Sequence, residues 1–248
     1  MELTALRAVV TGGASGLGAA TAQYLAGSGT QVTIFDRDRA TGEALAAQIG
    51  AQFAEVDVTS EESVAAGIET ALTAMGGINA LVNCAGIATG ERIVGREGPH
   101  RLESFRRTID INLIGSFNVL RLVAAEMAKN EGPERGAIIN TASIAAFDGQ
   151  KGQAAYSASK GGIVGMTLPL ARDLASQGVR VCAIAPGIFA TPMMKGLPQD
   201  VQDSLAAEVT FPKRLGEPEE YAKLAAFILQ SPYLNGEVIR LDGALRMR

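Results

Sequence analysis

The sequence predicts an α/β fold. It reads as one domain over residues 1–248, built on a doubly wound sheet of about seven parallel strands with helices on both faces. Three observations predict it. Short apolar runs alternate with helical segments of about 10 to 15 residues, the rhythm of βαβ units. The strand runs are continuously apolar rather than alternating, as parallel strands covered on both faces are. A chain of 248 residues, 47 % apolar and 19 % charged, is long enough to bury one sizeable core.

Each element has its own signal. "LRAVV" (6–10) is the first strand, starting by Ala5, and "TGGASGLG" (11–18) follows at once. A helix over 19–29 is ended by Gly29. "QVTIFDRD" (31–38) is β-rich, 38–49 helical, "AQFAEVDV" (51–58) a strand, and 61–75 a helix stopped by Gly76-Gly77. "INALVNCAG" (78–86) is a buried strand running into a turn. A helix over 101–128, a strand at 136–143, a helix over 154–176 kinked at Pro169, a strand at 179–187, a helix over 217–230 and a strand at 237–243 complete seven strands. No linker, low-complexity stretch or repeat interrupts them. Two loops break the rhythm, 86–100 and 188–216, and both leave the carboxyl ends of strands. Ligands bind there in open parallel sheets, and long loops in compact folds carry function.

Net charge is −4 and the pI about 5.2, which argues against a nucleic-acid-binding face. Cys84 and Cys182 are far apart, match no zinc spacing and read as buried free thiols, with a reducing, cytoplasmic compartment as the expectation. No metal site is expected. No uninterrupted apolar run is long enough for a transmembrane helix, and the early first strand leaves no room for a targeting peptide.

The glycine loop carries the first chemical signal. Gly12, Gly16 and Gly18 stand between a strand and a helix, where free N–H groups and the helix dipole hold a pyrophosphate. The spacing is G-x-x-x-G-x-G, not the ordinary G-x-G-x-x-G. Asp36 ends the second strand, where a carboxylate accepts bonds from the adenosine ribose and repels a 2′-phosphate. The expected cofactor is therefore NAD(H). The bland alternative for Asp36 is a helix cap, and Arg37 beside it is a weaker phosphate candidate. Asp57 is read as an adenine contact or a helix N-cap, with Val58 supplying backbone contacts.

The second signal is "AAYSASKGG" (154–162). Tyr156 and Lys160, four residues apart, share a helix face. A phenol titrates near ~10, so a tyrosine base must fall to about 7 to 8, a shift of about 3–4 kcal/mol that a neighbouring ammonium favours. Ser143 closes a strand shortly before and can bond a substrate oxygen.

Together, "TGGASGLG" (11–18), "NCAG" (83–86), Asn112 in "DINLIG", Ser143, "YSASK" (156–160), and "PG" (186–187) followed by "TP" (191–192) resemble the short-chain dehydrogenase/reductase family over essentially the whole chain. The resemblance implies a Rossmann-type fold and a catalytic tetrad of Asn112, Ser143, Tyr156 and Lys160. Tyr156 takes the alcohol proton while hydride passes to the nicotinamide. Ser143 orients the substrate oxygen, Lys160 holds the ribose and lowers the tyrosine pKa, and Asn112 holds a relay water. The alternative reading of Asn112 is a plain helix-bending residue. The resemblance extends the cofactor site to Ser15, Leu17, Cys84, Ala85, Gly86, Pro186, Gly187, Phe189 and Thr191, with backbone near Ile188 packing on the nicotinamide. Cys84 departs from the asparagine found in many members and leaves the bonding of its loop in question.

At a finer level, the stretches 136–175, "FPKRLG" (211–216) and 234–247 resemble the type II 3-hydroxyacyl-CoA dehydrogenase branch. The implied substrate is a short 3-hydroxyacyl-CoA thioester. Met193, Met194, Leu197 and Leu205 suit an apolar acyl part or simple packing, and Lys195, Lys213 or Arg214 are candidates for the CoA phosphates. Small or aromatic alcohols and hydroxysteroids are the alternative substrates. A non-catalytic NAD-binding protein is the alternative class, though it has no need of Tyr156 beside Lys160. His100, the single histidine, is read as a loop surface residue. The apolar helix 109–128 and the glycine-rich helix after it suggest a helix-pair interface between subunits, and the resemblance implies that the assembly is a homotetramer.

Overall fold

A seven-stranded parallel sheet forms the centre of the computed structural model, which describes residues 1–96, 98–196 and 198–247. In chain order the strands are β1 (Arg7–Thr11), β2 (Gln31–Asp36), β3 (Gln52–Glu55), β4 (Ala80–Asn83), β5 (Val94–Gly95), β6 (Gly98–Pro99), β7 (Gly136–Thr141), β8 (Val179–Pro186) and β9 (Val238–Leu241). β5 and β6 form a small antiparallel pair of their own. The others run in the order β3-β2-β1-β4-β7-β8-β9. The helices are α1 (Gly16–Gly27), α2 (Arg39–Ile49), α3 (Glu61–Met75), α4 (Leu102–Ile109), α5 (Gly115–Met127), α6 (Ala154–Asp173), α7 (Pro192–Lys195), α8 (Gln199–Glu208) and α9 (Pro218–Gln230).

The unbroken apolar runs have the expected cause. Ala8 and Val10 of β1 pack with α1, α2 and α9 on one face, and Val9 packs with α3 and α5 on the other. Each fully buried aliphatic side chain contributes about 1.5–3 kcal/mol. The chain winds outward from β1 to β3, then crosses back to β4 on the other side of β1. This reversal opens a crevice at the carboxyl ends of β1 and β4. The strand ends are level there: Thr11 pairs with Asn83, and Asn83 with Asn140.

Four local expectations are corrected. β1 starts at Arg7, after a tight 3₁₀ turn over Leu3–Ala5. α1 begins at Gly16, inside the glycine motif, with Ser15 at its N-cap. The 188–216 excursion holds α7 and α8. The helix predicted over 101–128 is broken in the middle by a π turn, Asp110–Ile114, centred on Asn112. The run 102–127 is long and apolar enough, by length and composition, to cross a membrane; half of its most apolar stretch is buried in the fold, where it meets α3, β4 and α6. α6 continues through Pro169 to Asp173.

Candidate active site

Two loops meet at the crevice. Gly12 has φ +61°, and a Cβ there would lie 2.7 Å from the Ala85 nitrogen. A Cβ on Gly18 would lie 2.1 Å from the Gly12 carbonyl oxygen. Both positions therefore require glycine, because the backbone of the α1 turn presses on itself and on the turn after β4. The Thr11 hydroxyl oxygen accepts the N–H groups of Cys84 (3.2 Å) and Ala85 (3.1 Å) and donates to Asn83 Oδ1 (3.2 Å). Thr11 thus provides the loop bonding that the thiol of Cys84 does not. Cys84 lines the cleft rather than hiding as the buried thiol expected; Cys182 is buried. Both are free.

A cleft of about 410 Å³ runs along these loops, lined by Gly12, Ser15, Gly16, Leu17, Gly18, Asp36, Arg37, Asp57, Val58, Cys84, Ala85, Gly86 and Thr191. Asp36 stands at its far end. Its Oδ2 accepts the Ala14 N–H and its Oδ1 the Asp38 N–H, both at 3.0 Å. It does not cap α2, since Asp38 does so by accepting the Thr41 N–H (3.1 Å). Asp57 does not cap α3 either; Ser60 does. Asp57 Oδ1 accepts the Thr59 N–H and hydroxyl, and Oδ2 lies 3.7 Å from Arg37 Nε. The Thr59 hydroxyl, chiefly, holds its carboxyl below the usual range despite partial burial. These features fit a dinucleotide: a helix N-terminus, a glycine turn and a strand-end carboxylate lining one cleft.

The second cleft, about 340 Å³, is lined by Ser143, Tyr156, Lys160, Pro186, Gly187, Ile188, Phe189 and Thr191, among others, and shares Leu17, Cys84, Gly86, Ile87 and Thr191 with the first. β7 delivers Ser143 just beyond its end, and α6 delivers Tyr156 and Lys160 on one face. Burial raises the Tyr156 phenol above its ordinary value, and a hydrogen bond with Ser143 opposes the rise. Lys160 is buried, donates to the Thr141 carbonyl (2.7 Å), and lies 5.8 Å from the centre of the Tyr156 ring. Burial lowers its pKa to about 8. The geometry therefore gives a phenol that keeps its proton and an ammonium near its titration point. A Cβ on Gly86 would come within 3.1 Å of Asn112 Oδ1 and 3.7 Å of Lys160 Nζ, so Gly86 keeps open the space beside the lysine.

Asn112 sits at the centre of the π turn. It is fully buried and lines neither cleft. Its Oδ1 accepts the Ile87 N–H (2.8 Å), and its Nδ2 donates to Ile87 O (2.9 Å) and Ser159 Oγ (3.1 Å). This side chain fixes the turn after β4 to α6. Several supporting groups carry no signal in the sequence. Tyr221 is fully buried, and its hydroxyl meets Thr141 Oγ1 at 2.7 Å. Gln150 and Gln153 line the second cleft. Thr11 was legible only as the strand residue before the glycines.

Met194 and Leu205 line the second cleft as expected; Leu197 lies outside the described residues, as does the side chain of Met193. Lys213 Nζ donates to the carbonyls of Ala207 (3.2 Å) and Val209 (3.4 Å), and Arg214 clasps Glu220 at 2.7 and 2.8 Å. Neither points to a free phosphate partner. His100 is not a surface residue: its side chain is 10 % exposed, its Nδ1 meets Arg101 O (2.9 Å), and its ring packs edge-on against Phe105. Among the described residues no group of three or more His, Cys, Asp or Glu is placed to hold a metal.

The glycine turn, the strand-end serine and the paired tyrosine and lysine define the class. The chain belongs to the short-chain dehydrogenase family, whose profile matches residues 7–202. It is thus an oxidoreductase of CH–OH groups, with a nicotinamide cofactor and a small-molecule substrate. Within that class it is 56 % identical over 250 residues to human 3-hydroxyacyl-CoA dehydrogenase type-2, covering 98 % of this chain and 96 % of that protein. It is 54 % identical over 246 residues to the Drosophila melanogaster protein of the same name, with 96 % of each covered. The crystal structure of 3-hydroxyacyl-CoA dehydrogenase type-2 from Mycobacterium avium superposes with a TM-score of 0.94 at 47 % identity, covering 97 % of this chain and 96 % of that one.

Proposed function

We propose that the chain interconverts short 3-hydroxyacyl-CoA and 3-oxoacyl-CoA thioesters with NAD(H), through Ser143, Tyr156 and Lys160. The observation that carries the chemistry is the buried Tyr156 phenol in one cleft with Ser143, its ring centre 5.8 Å from the Nζ of a lysine anchored on Thr141. Bound NAD supplies the hydride acceptor, and NADH the donor. In oxidation the substrate hydroxyl bonds to Ser143, and its proton passes to the Tyr156 oxygen. In reduction Tyr156 returns that proton to the oxygen of the former carbonyl. The protonated phenol favoured by burial suits reduction directly. Oxidation draws on Ser143 and the Lys160 ammonium to favour the phenolate. Asn112 serves by holding Ile87 and Ser159 in place.

The CoA thioester is supported by the named activity of the relatives. The preference for NAD over NADP is supported by Asp36, whose charge opposes a 2′-phosphate. A homotetramer is supported by exposed Ile114, Phe117 and Leu168 on the α5 and α6 side, and by Gly161 and Gly165, whose Cα atoms face open space. Light scattering at micromolar concentration tests the tetramer. NADH oxidation with acetoacetyl-CoA beside acetophenone, repeated with NADPH, tests the reaction. The thioester is expected to lead by about a hundredfold in kcat/KM, equivalent to ~2.7 kcal/mol in the transition state. Preference for the ketone would overturn the substrate.

A further inference from the structure

The second cleft opens between two segments of backbone. One is Ile87–Ala88, and the other runs from Gln150 to Gln153. Just outside it these segments are tied together: the Glu91 N–H donates to Gly152 O at 2.8 Å. Gly152 has φ +88°, and a Cβ there would lie 3.6 Å from the Glu91 nitrogen and 3.9 Å from the Arg92 nitrogen. The tie brings the backbone of Arg92 against Gly152, so that Arg92 and Lys151 lie on the two tied segments just outside the cleft. Both are exposed, and among the described residues neither has a hydrogen-bond or ion-pair partner. The adjacent carboxylate does not cancel them, because Glu91 is engaged by Arg101 through its backbone N–H (2.7 Å) and guanidinium (3.1 Å). Those bonds hold Glu91 at a pKa of about 2.

We propose that Arg92 and Lys151 form the docking site for the phosphate groups of the CoA moiety. This rests on the acyl-CoA reading of the same cleft. A CoA thioester carries its reacting carbon and its phosphates at opposite ends of a flexible arm. When the acyl end lies against Ser143 and Tyr156, the arm leaves through the cleft mouth. Two unpaired cations held on tied backbone segments at that mouth match a multiply charged phosphate group, with the arginine offering a planar fork and the lysine a point charge. The alternatives are weaker. Lys213 and Arg214 are spent on carbonyls and on Glu220. Lys195 is the single basic residue of the short α7.

The test uses a double variant, Arg92→Ala with Lys151→Ala, in exposed loop positions where folding is not at stake. Substrates are acetoacetyl-CoA and S-acetoacetyl-N-acetylcysteamine, which lacks the phosphates. The KM for acetoacetyl-CoA is expected to rise at least about tenfold and to lose most of its dependence on ionic strength. The KM for the truncated thioester is expected to match that of the wild type. An unchanged KM for the CoA thioester overturns the site. So does an equal rise for both substrates, which would mean lost loop shape rather than lost charge. So does a full effect from Lys195→Ala alone. Calorimetric titration of free CoA into NAD-saturated protein separates this proposal from the reaction it rests on. If thioesters are not turned over yet the double variant loses CoA binding, only the reaction is wrong. If wild type and variant bind CoA equally, the site is wrong.

Discussion

The ammonium of Lys160 donates to the carbonyl oxygen of Thr141 at 2.7 Å, and the Thr141 hydroxyl is itself held by Asn83 O (2.5 Å) and the Tyr221 hydroxyl (2.7 Å). A charge therefore sits in a dry place on a rigid anchor. Burial brings the Lys160 pKa from 10.5 to about 8 in the folded protein. Below about pH 8 both folded and unfolded chains hold the proton, and the burial cost is borne in full. Between about 8 and 10.5 the unfolded chain binds more protons, so this residue's contribution to stability rises with pH. Lys160→Met removes that dependence. Wild type is expected to gain on the variant by on the order of 3 kcal/mol from about pH 7.5 to 10.5, measured by urea unfolding. Parallel stability curves would contradict the assignment.

Tyr156→Phe removes the proton carrier but leaves the ring and the clefts. Turnover is expected to fall by about 10²–10⁴-fold. Fluorescence titration should show NADH binding within about threefold of wild type, a change under 1 kcal/mol. Retained turnover would remove Tyr156 from the chemistry.

Asp36→Asn keeps the shape of the side chain and its acceptor for one of the Ala14 and Asp38 N–H groups while removing the charge. The ratio of kcat/KM for NADPH over NADH is expected to rise at least about tenfold, the scale of one removed charge repulsion near a surface. No change would mean that another group selects the cofactor.

Thr11→Val preserves volume but leaves the N–H groups of Cys84 and Ala85 without their side-chain acceptor; the Cys84 N–H keeps the Thr11 carbonyl at 3.1 Å. A loss of about 1–3 kcal/mol is expected in chemical unfolding, with a raised Kd for NADH because the turn after β4 walls both clefts. A stable variant with normal cofactor affinity would show that packing alone holds the turn.

The sheet was legible because parallel strands buried on both faces write themselves as apolar runs, such as 80–83 between the glycine pair and Cys84. The glycine turn, Ser143, Tyr156 and Lys160 were legible because each needs its residue type at its own place in the chain. Tyr221 was not: a tyrosine in an amphipathic helix looks like core, and only the sheet brings it under Thr141. Arg92 and Lys151 were equally hidden, since the bond from Glu91 to Gly152 that brings their segments together depends on where two loops come to rest. Asn112 was found by motif, but its orientation depended on a π turn that no propensity announces.

That π turn has a consequence for insertions and deletions. It accommodates one residue beyond what a regular helix would hold between α4 and α5. Deleting a residue from 110–114 would let the segment relax into an unbroken α-helix. It would leave α4 and α5 in phase but remove the widened turn that presents Asn112 to Ile87 and Ser159. The bulge, rather than the helix content, is what the site depends on. A circular dichroism spectrum of such a deletion would look native while the enzyme had lost its turn after β4.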